Sequence, residues 1–96
     1  MIDLTVADDV ARLVLNRPEK LNALDSAMVQ ALAKRLAEIE HSDAKVVILS
    51  GAGKAFCAGG DIEAWSGESA DDFGRFWLRE GHDAFDALAR LRQPLI

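Results

Sequence analysis

The sequence predicts an α/β domain in which a β-hairpin is followed by an amphipathic helix and then by a short apolar strand. Three observations lead to this prediction. Apolar and polar residues alternate near the N-terminus, apolar residues recur at spacings of three and four between 26 and 41, and an uninterrupted apolar run stands at 46–49. Alternation is typical of half-buried strands, and the other spacing is typical of a helix with one buried face. Strand, helix and strand in this order indicate a crossover unit with a partly parallel sheet.

The first element is predicted to be a hairpin. Ile2, Leu4 and Val6 alternate with polar residues, and the stretch 10–15 is mostly apolar. Asp8 and Asp9 between the two runs are residue types that favour turns. The stretch NRPEKLNAL that follows, residues 16–24, contains one proline and two asparagines, and it is predicted to be a loop.

A helix is predicted from about Ser26 to His41, with Asp25 or Ser26 as its N-cap. The residues of its predicted inner face are Met28, Ala31, Leu32, Leu36 and Ile39. The run VVIL at 46–49 is too short for a helix and is apolar at consecutive positions. A strand buried on both faces has this pattern, so we expect both faces of this strand to be covered.

A second helix is predicted from about residue 70 to residue 92. The residues of its predicted inner face are Phe73, Trp77, Ala84, Leu88 and Leu91. Pro94 is expected to end it, since proline cannot continue a helix. Leu95 and Ile96 then read as the beginning of a further strand.

Composition and charge exclude several classes of protein. The 96 residues suffice for one small domain, and 11 Lys+Arg against 16 Asp+Glu give a net charge of −5. Basic residues do not cluster, which argues against a nucleic-acid partner. Neither a membrane span nor a signal peptide is recognisable, so a cytoplasmic protein is expected. One cysteine, Cys57, excludes an internal disulfide and a multi-cysteine zinc site, and no metal is expected.

Four glycines frame the sequence KAFCA directly after the apolar run, in the stretch SGAGKAFCAGGDI at 50–62. The P-loop pattern fails because Gly53-Lys54 is followed by alanine, and the dinucleotide-binding pattern fails at Phe56. A G-x-S-x-G nucleophile motif is absent from the sequence. One remaining interpretation is a flexible strand-to-helix connection with Asp61 as the helix N-cap.

The other interpretation gives the pair Gly59-Gly60 a chemical role. Glycine lets a ligand approach the backbone closely, and a helix beginning at Asp61 would present free N–H donors. Donors that wait for a negative charge that develops during a reaction form an oxyanion hole. Composition and spacing do not decide between these two interpretations.

The stretch SGAGKAFCAGGDI, together with VARLVLNRPEKLNAL and LARLRQPLI, resembles the crotonase superfamily, the enoyl-CoA hydratase/isomerase family. The resemblance extends over essentially the whole chain. It implies a crotonase-like α/β fold of ββα repeats and strand-helix crossover units. Residues 1–96 would then be the N-terminal portion of a crotonase-like acyl-CoA-binding domain, truncated after the second long helix.

The resemblance also implies which residues form the site. The N–H of Gly60 would be one of two backbone donors to the thioester oxygen of an acyl-CoA. The residues implied to bind the coenzyme A portion are Lys20, Leu21, Ala58, Asp61 and Ile62. For Lys20 a solvated loop charge remains the alternative, and packing is the expected role of Phe56 and Cys57. The resemblance implies no metal and no cofactor beyond coenzyme A as part of the substrate.

The reaction implied by the resemblance is hydration of a 2-enoyl-CoA. A 3-hydroxyacyl-CoA hydrolase of the same superfamily is one alternative, and a non-catalytic acyl-CoA-binding or assembly chain is the other. Members of the superfamily assemble into trimers and hexamers, so a homo-oligomer is expected. The second oxyanion donor and the general acid or base are expected beyond Ile96, and the 96-residue chain alone is therefore expected to be inactive.

Overall fold

A computed structural model describes residues 1–60 and 79–96 of the chain. The strands are β1 (Ile2–Ala7), β2 (Val10–Leu15) and β3 (Val46–Gly51), and the helices are α1 (Ser26–Glu40) and α2 (Glu80–Ala89). One turn of 3₁₀ helix, Pro18–Lys20, lies within the predicted loop after β2. No helix in these two described ranges is long and apolar enough to cross a membrane.

The predicted hairpin is confirmed. β1 and β2 pair antiparallel from Ile2 opposite Leu15 to Ala7 opposite Val10. The two residues between the strands, Asp8 and Asp9, have φ values of 52° and 67°. Two consecutive left-handed residues give the type I′ turn, whose twist matches that of the strands it joins. Aspartate tolerates this conformation better than most residues do, which explains the pair of acids at this turn.

The predicted crossover and partly parallel sheet are also confirmed. The strand order is β1-β2-β3, and β2 pairs parallel with β3 from Val10 opposite Val46 to Leu15 opposite Gly51. Leu95, where a further strand was predicted to begin, forms an isolated parallel bridge with Val47 at the free edge of β3. The Ile96 N–H donates to the Val47 carbonyl, and the Leu49 N–H donates to the Ile96 carbonyl, both at 2.9 Å. The carboxyl ends of β2 and β3 therefore lie side by side.

Helix α1 covers one face of the sheet. Asp25 caps it, because its Oδ1 accepts a hydrogen bond from the Met28 N–H at 2.8 Å. The buried residues of the helix are Met28, Val29, Leu32, Leu36 and Ile39. The sheet residues of the same core are Ile2, Ala11, Leu13, Leu15 and Val47. The predicted inner face is confirmed: four of its residues are buried, and Ala31 is half-buried and packs against the core. Val29 was not predicted.

The prediction that β3 is buried on both faces is wrong for the described residues. Val47, which faces α1, is fully buried, but Val46 and Ile48 on the opposite face are only half-buried. An apolar run of this kind is typical of a strand between two layers, whereas the described helices cover only one side of the sheet. Consecutive apolar residues therefore identified the strand correctly and its second face incorrectly.

Helix α2 packs against α1, but it ends at Ala89 and not near residue 92 as predicted. The chain turns there because Arg92 and Gln93 bond to the end of α1 and to the turn after it. The Arg92 Nη2 donates to the Ser42 carbonyl at 2.7 Å. Of the predicted inner face, Ala84 is buried and Leu88 and Leu91 are half-buried. Phe73 and Trp77 lie outside the described residues.

Candidate active site

Two loops leave the same edge of the sheet. The first loop, residues 16–25, follows β2, and the glycine loop, residues 52–60, follows β3. They begin next to each other, since the Ala52 N–H donates to the Leu15 carbonyl at 2.8 Å. In open α/β sheets, ligands bind outside the carboxyl ends of the parallel strands. Both stretches that the sequence analysis singled out are at this edge.

The two loops pair with each other as a short parallel ladder. The Ala58 N–H donates to the Leu21 carbonyl at 3.0 Å, and the Leu24 N–H donates to the Gly59 carbonyl at 2.7 Å. Leu24 and Gly60 form an isolated parallel bridge. Residues 58–60 are therefore held against residues 21–24. This pairing fixes the position of the backbone around Gly60.

The ladder also fixes the direction of the Gly60 N–H. In a parallel pair, the N–H and C=O of one residue point to the same neighbouring strand, and the residue opposite points away. Leu24 makes the bonds in the bridge with Gly60, so the N–H of Gly60 is directed away from the first loop. Within the described ranges, the Gly60 N–H forms no hydrogen bond. Gly60 itself is half-buried, and among the described residues its N–H is left without a partner.

The structure brings several of the predicted site residues together. Leu21 and Ala58 are joined by their backbone bond and are both exposed, and Lys20 precedes Leu21 on the same exposed turn. Gly60 lies two residues beyond Ala58. Asp61 and Ile62, and with them the predicted N-cap and the helix after the glycine loop, lie outside the described residues. The described part of the predicted coenzyme A site is therefore an exposed backbone ridge at the carboxyl end of the sheet.

The two side chains for which packing was expected differ. Cys57 is half-buried and packs against the core, as predicted. Phe56 is 55% exposed, so the expectation that it packs is wrong for the described part of the chain. The reason is the direction of the loop: the backbone turns between Ala55 and Ala58, and successive side chains there point alternately inward and outward. Phe56 consequently adds apolar surface to the same exposed edge.

Asn22 belongs to the site architecture and was missed by the sequence analysis. It is fully buried, although it lies in a loop. Its Oδ1 accepts the Arg17 N–H at 2.7 Å, and its Nδ2 donates to the carbonyls of Ala52 at 3.0 Å and Ala55 at 2.9 Å. Its φ of 58° is left-handed, which asparagine tolerates well. The signal in the sequence was an asparagine flanked by leucine and alanine in a loop that otherwise looked exposed.

A second connection ties the first loop to α1. The guanidinium of Arg17 lies 3.4 Å from Asp25 Oδ2 and donates to the Ala23 carbonyl at 3.0 Å. Asp25 is at the same time the N-cap of α1. The start of the helix and the turn that presents Lys20 and Leu21 are thus held by one ion pair. This pair is mostly buried, with 15% and 21% of the two side chains exposed.

A cavity of about 320 Å³ lies elsewhere, between the two helices. Its lining residues are Val29, Gln30, Ala33, Glu80, Asp83 and Ala84. None of the predicted site residues that the structure describes, Lys20, Leu21, Ala58 and Gly60, lines this cavity. Across residues 1–60 and 79–96, histidine, cysteine and acidic side chains form no cluster that could hold a metal ion.

Several solved structures have the same fold as this chain. The chain superimposes on an enoyl-CoA hydratase of Mycobacterium smegmatis with a TM-score of 0.90 and 30% identity, over 98% of this chain and 37% of that one. It superimposes equally well on an enoyl-CoA hydratase/carnithine racemase of Magnetospirillum magneticum, with a TM-score of 0.90, 35% identity, and coverage of 98% and 36%. The fold is therefore the crotonase-like α/β fold that was predicted.

The sequence profile of the enoyl-CoA hydratase/isomerase family matches residues 10–96. The chain belongs to this family.

Curated relatives differ in what their names say. A probable enoyl-CoA hydratase of Mycobacterium bovis is 37% identical over 89 residues, 91% of this chain and 35% of that protein. The mitochondrial 3-hydroxyisobutyryl-CoA hydrolase of Xenopus laevis is 36% identical, over 97% of this chain and 25% of the enzyme. A small ribosomal subunit protein of Neurospora crassa is 51% identical over 59 residues, 59% of this chain and 12% of that protein. The chain thus spans between an eighth and about a third of these relatives.

Proposed function

We propose that the protein containing these residues acts on acyl-CoA thioesters and that it hydrates 2-enoyl-CoA. The observation that supports this proposal best is the Gly60 N–H, which is held by the ladder between the two loops and has no partner among the described residues. A fixed N–H at the edge where α/β sheets bind ligands, unpaired among the described residues, is suited to donate to a developing oxyanion. The side chain of Gly60 is a hydrogen, so the backbone is the only part of this residue that can act.

The proposed reaction uses this donor as follows. Water adds its oxygen to C3 of the 2-enoyl-CoA, and the electron pair of the C2–C3 double bond moves toward the thioester carbonyl. The carbonyl oxygen then carries the negative charge of an enolate, which the Gly60 N–H and a second donor stabilise. A general base takes up the proton that the water loses, a proton is delivered to C2 in its place, the enolate collapses, and a 3-hydroxyacyl-CoA results. Donors arranged in advance contribute most because they need no reorganisation when the charge appears.

The first loop and the glycine loop would bind the coenzyme A portion. Leu21 and Ala58 present adjoining backbone, and Lys20 adds a positive charge on the same turn. A lysine near this edge suits the phosphates of coenzyme A, which is negatively charged. Asp61 and Ile62 complete the proposed set by their positions in the sequence. No metal and no cofactor other than the coenzyme A of the substrate take part in this proposal.

The setting of the protein is proposed on the same basis. The family is one of acyl-CoA enzymes, so the proposed partner is a small-molecule thioester and not a nucleic acid or a membrane. We propose a cytoplasmic homo-oligomer, a trimer or hexamer.

Two other functions have a specific observation in their favour. Similarity to a 3-hydroxyisobutyryl-CoA hydrolase covers 97% of the chain, and a hydrolase would use the same oxyanion donor for attack on the thioester carbonyl itself. Similarity to a ribosomal subunit protein favours a chain that assembles without catalysis. Assays with crotonyl-CoA and with 3-hydroxyisobutyryl-CoA separate the three: hydration consumes the first, hydrolysis releases free thiol from the second, and a non-catalytic chain does neither.

The decisive experiment removes the donor at Gly60. In the complete protein, Gly60→Pro deletes the N–H, and we expect turnover of crotonyl-CoA to fall by about 10²–10³. Gly60→Ala is the matched control, because it keeps the N–H and because Gly60 is not among the described residues with positive φ. We expect Gly60→Ala to retain most of the turnover. Circular dichroism on both variants separates loss of the donor from loss of the fold.

Turnover of Gly60→Pro within about twofold of the parent would contradict the proposed role of Gly60, since loss of a donor of this kind costs far more. Equal loss in Gly60→Ala and Gly60→Pro would instead show that the shape of the loop matters and the donor does not.

A further inference from the structure

Asn22 uses every hydrogen-bonding group of its side chain. The carbonyl oxygen accepts the Arg17 N–H at 2.7 Å, and the two N–H groups of the amide reach the carbonyls of Ala52 at 3.0 Å and Ala55 at 2.9 Å. The side chain is fully buried, so water does not compete for these bonds. One side chain therefore joins the beginning of the first loop to the beginning of the glycine loop.

The space around this amide is filled. A Cβ placed on Gly51 would lie 2.8 Å from Asn22 Nδ2 and 2.7 Å from the Ala55 carbonyl oxygen. Both distances are shorter than real contacts of a Cβ, so only glycine fits at this position. The last residue of β3 and the asparagine are thus packed against each other. Neither loop can shift relative to the other without breaking the hydrogen bonds of the Asn22 side chain.

We propose that Asn22 is a positioning residue that sets the place of the Gly60 N–H. The bonds of Asn22 fix the start of the glycine loop, and the pairing of Leu24 with Gly59 and Gly60 fixes its end. Both contacts come from one four-residue segment, 21–24. The position of the Gly60 N–H relative to the first loop is therefore fixed at two points. The inference rests on the proposed function, because it requires that the Gly60 N–H contacts the substrate.

The chain contains a matched control in Gln93. Its side chain is also a buried amide, 4% exposed, and its Nε2 donates to the carbonyls of Ile39 and Ala44, both at 3.2 Å. It lies at the amino end of β3, away from the two loops. Loss of the Gln93 bonds should cost stability as loss of the Asn22 bonds does, but it should leave the donor in place.

The experiment compares Asn22→Asp with Gln93→Glu in the complete protein. Each substitution keeps the shape of the side chain and removes the two N–H donors. Asn22→Gly is a second variant that adds no charge and suits the left-handed backbone. The measurements are the melting temperature, kcat and KM with crotonyl-CoA, and the infrared carbonyl frequency of a bound, isotope-labelled thioester, which falls when the oxygen accepts a hydrogen bond.

We expect all three variants to melt at lower temperature and only the Asn22 variants to lose catalysis. Their kcat should fall by about 10- to 100-fold, as expected when a reacting group is misplaced by about 1 Å. KM should stay within about threefold, because the donor acts mainly on the transition state. In the Asn22 variants the carbonyl frequency should return toward its value in solution, whereas Gln93→Glu should keep the frequency of the parent.

Two results would overturn the positioning role alone: an unchanged carbonyl frequency in both Asn22 variants, or a loss of kcat in Gln93→Glu as large as theirs at equal melting temperature. A parent protein whose bound thioester keeps its solution frequency would instead overturn the proposed donor at Gly60, and the role of Asn22 with it.

Discussion

Each end of β3 is held by a buried side-chain amide, and the two amides hold different kinds of structure. At the amino end, Gln93 donates to Ile39 in the last turn of α1 and to Ala44 just before the strand. Both of these carbonyls belong to backbone that the core already fixes. At the carboxyl end, Asn22 donates to Ala52 and Ala55, which belong to a loop with no regular structure.

The two side-chain amides differ in whether all of their polar groups form hydrogen bonds. Gln93 Oε1 is buried without a hydrogen-bond partner in the described part of the molecule, whereas Asn22 Oδ1 accepts the Arg17 N–H. An unmet buried acceptor is tolerated where packing alone determines the geometry, although it costs free energy. The glycine loop lacks regular secondary structure, and both the carbonyl oxygen and the amide N–H groups of its anchor Asn22 are used.

The largest effect is expected from a substitution in β3 that narrows the space around the Asn22 side-chain amide. Gly51→Ala places a methyl group against Asn22 Nδ2 and the Ala55 carbonyl. We expect the free energy of unfolding in urea to fall by about 1–3 kcal/mol, as for other overpacked sites. Ser50→Ala is the control, since Ser50 is exposed on the same strand. A Gly51→Ala protein within about 0.5 kcal/mol of the parent would show that the loop yields easily.

A smaller effect is expected at the other attachment of the first loop. Asp25→Ala removes both the cap of α1 and the ion pair with Arg17, and we expect a loss of about 1 kcal/mol. Asp25→Asn keeps an acceptor for the Met28 N–H and removes only the charge, so it should recover most of that loss. Urea denaturation of the two variants measures this. If Asn were as destabilising as Ala, the ion pair and not the cap would hold the loop.

The smallest effect is expected at the amino end of β3. Arg92 donates to the Ser42 carbonyl at 2.7 Å and lies 3.8 Å from Glu40, and both side chains of this ion pair are exposed. We expect Arg92→Ala to cost less than about 1 kcal/mol. Arg90→Ala, which removes an exposed ion pair between Asp86 of α2 and the residue that follows the helix, is the control and should be similar. A loss above about 2 kcal/mol would mean that this end depends on its surface residues and not on Gln93.

Most of the fold could be predicted from the sequence because the signals are local. The alternation of apolar residues gave the hairpin, and Asp8-Asp9 gave its turn. The periodicity of Met28, Leu32, Leu36 and Ile39 gave α1 and its buried face. The partial exposure of Val46 and Ile48 on the second face of β3 could not be predicted, because consecutive apolar residues indicate burial and do not say what covers them. The end of α2 at Ala89 depends on bonds of Arg92 and Gln93 to a distant part of the chain.

The location of the candidate site could be predicted from the sequence, but the buried residue that holds its two loops together, Asn22, could not. Gly60, Leu21 and Ala58 were identified from a family resemblance, and the structure places them on one ladder. Their roles toward a ligand remain predictions. Asn22 was not identified because an asparagine in a loop ordinarily indicates a turn. The two carbonyls to which its amide donates stand 30 and 33 positions further along the chain, where no periodicity connects them with Asn22.

That separation has a consequence for the order in which the molecule folds. The β1–β2 hairpin and α1 are held by contacts between near neighbours, and such contacts form early. The amide of Asn22 can meet Ala52 and Ala55 only after β3 has docked beside β2, which closes a long segment of chain. The ladder between the two loops should therefore be completed late in folding. In a hydrogen-exchange experiment, the N–H groups of Leu24 and Ala58 should exchange faster than those of the hairpin. The proposed binding edge would then open while the rest of the sheet is still formed.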